Sequence, residues 1–198
     1  MAKISSYAVD GSVSRSDLLI GSDAESNNET KNFTAGSLLG LTQVEEVLST
    51  HYDVDQEPSG LDSPLDIVFG PGGTGTTADP VMMAANGTLT FNQAGFYFIK
   101  VFLNVEREGS SGNVTVTAFR ALMNGTQFTE TKAIDLDQTG IMVPYETTIP
   151  YQATAGDTMN WEVMRDSSGI DGGGLYIHAI SGGWSNVPSA EMRVYKVG

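Results

Sequence analysis

The stretch Phe96-Tyr-Phe-Ile-Lys-Val-Phe-Leu-Asn-Val105 constrains the fold more than any other part of the 198-residue chain. Read at the two-residue period of a β-strand, one face carries Tyr97, Ile99, Val101, Leu103 and Val105 and is wholly apolar. The other carries Phe96, Phe98, Lys100, Phe102 and Asn104. A strand of an antiparallel sandwich buries one face and wets the other. Three phenylalanines on the nominally wet face make an apolar patch that calls for a cover. Residues 158–164 group Met159, Trp161 and Val163, with Met164 opposite; residues 175–180 set Tyr176, His178 and Ile180 against Leu175, Ile177 and Ala179. Two covers are open: another copy of the same chain, or the N-terminal segment folded back. The first makes Phe96, Phe98, Phe102, Trp161, Tyr176, His178 and Ile180 a set at the interface between copies.

The same period runs through the C-terminal two-thirds. Strands are expected near 65–69, 81–85, 88–91, 96–105, 114–122, 126–136, 142–149, 158–164, 175–180 and 193–197. Turn clusters separate them, among them Asn86-Gly87, Asn124-Gly125 and Ala155-Gly-Asp157. Many short strands with such spacing predict a mainly β fold, an antiparallel sandwich, jelly roll or barrel. Ahead of them, Asp17-Leu-Leu-Ile-Gly and Lys31-Asn-Phe-Thr read as short strands. Leu38, Leu39, Leu41, Val44, Val47 and Leu48 recur near helical spacing and predict one helix, capped by Thr34 or Ser37. Gly70-Pro-Gly-Gly-Thr-Gly-Thr-Thr-Ala-Asp-Pro80 reads as a linker. The expected organisation is an N-terminal arm over residues 1–66, a Gly/Pro/Thr linker over 67–80 and a β domain over 81–198.

Charge narrows the function. Asp and Glu number 24 against 10 Lys and Arg, a net charge of −14. Nucleic-acid backbones and anionic membrane surfaces are therefore not expected partners. Without cysteine there are no disulfides, thiolate metal sites or Cys nucleophiles. No apolar run reaches the ~20 residues of a membrane span, and no signal peptide is read at the N-terminus.

Two resemblances give these patterns a context. Phe91-Asn-Gln-Ala-Gly-Phe-Tyr-Phe resembles the start of the long central strand in the tumour necrosis factor and complement globular-head superfamily. Gln152-Ala-Thr-Ala-Gly-Asp-Thr-Met-Asn-Trp-Glu-Val resembles a later strand of that fold, and Gly174-Leu-Tyr-Ile-His-Ala-Ile stands where its closing aromatic strand falls. The resemblance covers the last ~120 residues. It implies a jelly roll assembled as a tight homotrimer, with aromatics along the threefold axis. Residues 16–39, Ser-Asp-Leu-Leu-Ile-Gly-Ser-Asp through Thr-Lys-Asn-Phe-Thr to Leu-Leu, resemble a short N-terminal module of tailed-phage structural proteins. That module implies attachment to a virion, with Leu18, Leu19, Ile20, Phe33, Leu38, Leu39 and Leu41 as the anchoring residues.

Chemistry-bearing motifs are sparse. Asp53-Val-Asp-Gln-Glu57 is not an EF-hand loop, because Pro58 and Pro64 stand where Gly and Glu are required. The glycines at 70–75 lack the Lys of a phosphate-binding loop. His51 and His178 are the only histidines, and no Gly-x-Ser-x-Gly elbow accompanies them. Five Asn-x-Thr sequons, from Asn28 to Asn124, suit turns. Trp184, in Ser-Gly-Gly-Trp-Ser, is a candidate receptor contact. The expected function is a non-enzymatic, cofactor-free virion protein: a homotrimeric head decoration or cement protein bound to the major capsid protein or another virion protein. The alternative is a tail or head fibre tip that binds a host surface glycan or receptor.

Overall fold

The computed structural model describes residues 18–23, 29–34, 43–108 and 114–198. The chain divides into two compact units, residues 1–44 with 197–198, and residues 45–196.

In the first unit, β1 (Leu18–Asp23) and β2 (Glu29–Thr34) form an antiparallel ribbon, in register from Leu18 opposite Thr34 to Asp23 opposite Glu29. Both short strands expected here are present. Of the anchoring residues, Leu18, Leu19, Ile20 and Phe33 lie on this ribbon, whereas Leu38, Leu39 and Leu41 lie outside the described residues. So does the first half of the expected helix. Its second half is strand: β3 runs Val44–Tyr52. Leu48 and Thr50 are buried while Ser49 and His51 are exposed, a period of two rather than 3.6.

The second unit is mainly β, built from two antiparallel sheets. Its further strands are β4 (Leu65–Asp66), β5 (Val81–Met83), β6 (Leu89–Phe91), β7 (Gly95–Arg107), β8 (Thr115–Met123), β9 (Thr126–Gln127), β10 (Lys132–Leu136), β11 (Val143–Ala153), β12 (Thr158–Asp166), β13 (Gly173–Leu175) and β14 (Ala190–Val197). One sheet has the order β10-β8-β12-β6-β5, with β9 beside β8 and β4 beside β12. The other has the order β11-β7-β14-β3, with β13 beside β7. The long pairings are nested: β3 with β14, β6 with β12, β7 with β11 and β8 with β10. The widest matched pair is β7 with β11, from Gly95 opposite Ala153 to Val105 opposite Val143. β11 carries Pro144 and Pro150. Proline cannot donate to a ladder, and among the described residues β11 has only β7 as a neighbour, so both prolines suit this edge.

The core lies between the sheets. Tyr97, Ile99, Val101, Leu103 and Val105 of β7 are all fully buried, as the sequence period predicts. They meet Met159, Trp161 and Val163 of β12, Phe119 and Ala121 of β8, and Met192 and Val194 of β14 in one cluster. Burying a residue such as Ile99, Val101 or Leu103 contributes roughly 1.5–3 kcal/mol.

Three boundaries differ from expectation. Residues 67–80 do not form a free linker: Ile67 and Phe69 are buried, and the Ile67 N–H donates to the Trp161 carbonyl at 2.7 Å. The glycine-rich run beyond them lies along β5, with Thr74 bridged to Met83 and Gly73 held at φ +87. A Cβ on Gly73 would stand 2.9 Å from the Met83 carbonyl oxygen. Glycine here allows close backbone approach, not slack. The strand expected over 126–136 breaks into β9 and β10, because the Phe128 and Thr129 amides turn to the Ala121 carbonyl. The strand expected over 175–180 ends at Leu175; beyond it only a bridge between His178 and Val187 follows.

Candidate assembly face

The outer side of the β11-β7-β14-β3 sheet carries the residues that set β7 apart. Phe96 is 37% exposed, and Phe98 and Phe102 are half-buried. The rings of Phe96 and Phe98 meet edge to face, with centroids 5.2 Å apart. This is a favoured arrangement for two aromatic quadrupoles. Two polar residues interrupt the row. Lys100 Nζ pairs with Glu146 Oε1 at 2.9 Å, reaching across to β11. Asn104 is almost fully buried, and its amide donates to the Pro188 carbonyl at 2.7 Å. Between them Phe102 forms the apolar part of a depression of about 210 Å3, whose other walls are Lys100, Glu146, Glu191 and Arg193. Glu191 and Arg193 themselves pair along β14. The face is thus an aromatic row set among two ion pairs. Exposed pairs of this kind contribute little to the fold of one chain. They do set register when such a face is covered by a complementary surface.

The expected interface set divides on this structure. Phe96, Phe98 and Phe102 share the outer face of one strand. Trp161 does not join them: it is 2% exposed and belongs to the core. Met159, Trp161 and Val163 form the one apolar face of this strand, with Thr158, Asn160 and Glu162 opposite, and that face turns into the core rather than outward. Tyr176 is also buried. Its ring packs so closely on Gly174 that a Cβ there would lie 3.0 Å from Tyr176 Cε2. Burial pushes its phenol well above the ordinary range, with the nearby Glu57 carboxylate adding to the effect. His178 and Ile180 are exposed, but in the segment after β13 rather than on a sheet face. Trp184 is 77% exposed.

Away from this face, two polar clusters hold the sandwich ends. Arg165, only 9% exposed in its side chain, pairs with Asp171 at 2.7 Å and Glu57 at 3.1 Å and donates to the Gly173 carbonyl. At the opposite end of β12, Asp157 accepts hydrogen bonds from Asn124 Nδ2 (2.9 Å), the Thr154 N–H (2.8 Å) and the Tyr151 hydroxyl (2.7 Å). Among the described residues, no group of three or more His, Asp or Glu is placed to hold a metal ion. No helix of the described residues is long and apolar enough to cross a membrane.

No protein-family model matches the chain, and comparison with curated proteins finds no match.

Proposed function

We propose that the chain is a structural protein of a tailed-phage virion, a head decoration or cement protein. Its sandwich is a jelly roll that assembles as a homotrimer, and its N-terminal segment attaches it to the shell. Three features support this reading. The nested pairing of β3 with β14, β6 with β12, β7 with β11 and β8 with β10 is the order a jelly roll produces when one long hairpin wraps into two sheets. Residues 16–39 carry the phage-module pattern. The charge of −14 keeps densely packed copies soluble and mutually repelling.

The observation that carries the proposal is the row Phe96, Phe98 and Phe102 on the outer face of β7. A second copy that buries this row gains apolar contact, while the flanking charges are already paired within each chain. Three arms on one trimer then engage the shell together, so that modest single contacts yield high avidity. Sedimentation of the full chain is expected to give a trimer that Phe96→Asp converts to a folded monomer. A wild-type monomer, or a trimer indifferent to Phe96→Asp, overturns the assembly. Quantitative mass spectrometry of purified virions tests the location. Hundreds of copies per particle fit a decoration protein, a dozen fit a fibre, and none removes the phage reading.

A further inference from the structure

The segment between β13 and β14 carries a feature that the assembly face does not use. His178 and Val187 exchange both backbone hydrogen bonds, at 3.0 and 2.9 Å, and so close residues 179–186 into a loop. Gly182 and Gly183 hold φ of +78 and +80, a conformation that side-chain-bearing residues adopt only at a cost. They deliver Trp184 to the surface with most of its indole in solvent. Its sequence neighbour Ser185 is one wall of a groove of about 370 Å3, lined by His51, Asp53, Ser185, Asn186, Pro188 and Glu191.

The two walls of this groove, the end of β3 and the loop, are locked together from below. Ser189 is fully buried; its N–H donates to the Tyr52 carbonyl at 3.0 Å and its hydroxyl to the Val54 carbonyl at 2.7 Å. Gln56, also buried, reaches the Ser189 hydroxyl at 3.3 Å and the Val68 carbonyl at 3.0 Å. Asn104 holds Pro188 and Ser189 by its side chain and its N–H. Three buried polar side chains from three distant parts of the chain therefore converge on one loop foot. Such satisfied networks rigidify what they support. A groove held rigid from below, one residue along the chain from an exposed tryptophan, is a place to look for binding.

We propose that this groove binds a neutral carbohydrate. A pyranose has an apolar C–H face that stacks on an aromatic ring. Its hydroxyls both donate and accept, which Asn186, Asp53 and Glu191 match. The charge selects among sugars: two carboxylates line the groove, and the His51 ring is already engaged by Asp53 at 3.3 Å. Sialic acids, uronic acids and sulfated sugars are repelled. The groove shares only Glu191 with the depression on the assembly face, so the two readings are tested by separate variants.

The test uses the full chain in its native oligomeric state, with chitotriose, lactose and maltotriose as neutral probes and 3′-sialyllactose as the anionic one. Saturation-transfer NMR is expected to show at least one neutral sugar bound. Intrinsic fluorescence shifts with it, because Trp161 is buried and Trp184 is the only other tryptophan. Trp184→Ala lowers that affinity by about tenfold or more, as loss of a central aromatic anchor does, and leaves circular dichroism and sedimentation unchanged. Asn186→Ala weakens binding without touching the indole. No saturation transfer from any neutral probe overturns the proposal. So does binding unaltered in Trp184→Ala, or 3′-sialyllactose held as tightly as lactose. None of these outcomes bears on trimer formation, which sedimentation reads separately.

Discussion

The Tyr151 hydroxyl donates to the Asp157 carboxylate at 2.7 Å, joining the end of β11 to the turn that begins β12. The pair makes stability pH-dependent at both extremes. The Asn124 amide, the Thr154 N–H and the Tyr151 hydroxyl together hold the Asp157 carboxyl below its ordinary range. Its contribution is complete above the unfolded carboxylate range and is lost as pH falls through the lowered folded value. Burial, and then the bond to Asp157, push the Tyr151 phenol up to about 12. Its contribution is complete below the unfolded phenol value and is lost as pH rises toward that folded value. Urea unfolding of the wild type is therefore expected to weaken in both windows. Asp157→Asn flattens the acid limb, and Tyr151→Phe flattens the alkaline one. Unchanged limbs in these variants would exclude the pair as the source.

Arg165 gives a prediction about coupling. Its guanidinium has two carboxylate partners, Asp171 and Glu57, and both are half exposed. Either carboxylate alone still neutralises the buried cation. Asp171→Ala and Glu57→Ala are each expected to cost about 1 kcal/mol. The double variant leaves an uncompensated buried charge and is expected to cost about 3–5 kcal/mol. A double-mutant cycle on urea midpoints measures this, and strict additivity would contradict it.

How much of this was legible in the sequence depends on which force decided each element. Phe96–Val105 was readable because its inner face is all apolar, and β7 extends it only to Gly95 and Arg107. Val44–Tyr52 was not, because one of its two inward residues is Thr50. That hydroxyl is satisfied by donating to the Phe69 carbonyl at 2.8 Å, a partner from a distant segment that no local pattern reveals. The remaining apolar positions then matched a helix. Trp161 shows a different limit: its grouping with Met159 and Val163 was readable at period two, but an apolar face alone does not say whether it meets its own partner sheet or another copy, and here it meets the core. Phe96, Phe98 and Phe102 could be grouped because they share one strand. The foot of the loop groove could not, since Gln56, Asn104 and Ser189 are ordinary polar residues far apart in the chain.

The assembly face separates association from folding. Phe98 is half-buried on the outer side of β7, and Lys100 and Glu146 are likewise partly exposed. Lys100→Glu places two like charges side by side and is expected to weaken the trimer at low salt. Lys100→Glu with Glu146→Lys restores the pair and the association. The folded state of one chain should move by less than about 1 kcal/mol in either case, the range of an exposed ion pair. Sedimentation at low and high salt reads association, and urea unfolding reads stability. Rescue in neither measurement would mean that this pair lies outside the contact between copies.

Glycine 87 offers the sharpest steric test. It follows Asn86 in the turn before β6 and holds φ +86. A Cβ there would stand 1.9 Å from the Ile67 carbonyl oxygen and 3.1 Å from the Val68 Cα. Ile67 cannot retreat, because it is buried and its N–H is bonded to Trp161. Gly87→Ala therefore combines a left-handed backbone with a backbone clash at the core edge. The conformational part alone costs roughly 1–3 kcal/mol, and the displaced segment adds to it. Gly60→Ala is the matched control, since nothing lies within 4 Å of a Cβ at that position. It is expected to be neutral or slightly stabilising, through the narrowed unfolded ensemble. Urea midpoints that fall steeply for Gly87→Ala and hold for Gly60→Ala would tie residues 67–69 to the sandwich as part of its core; equal midpoints would contradict that packing.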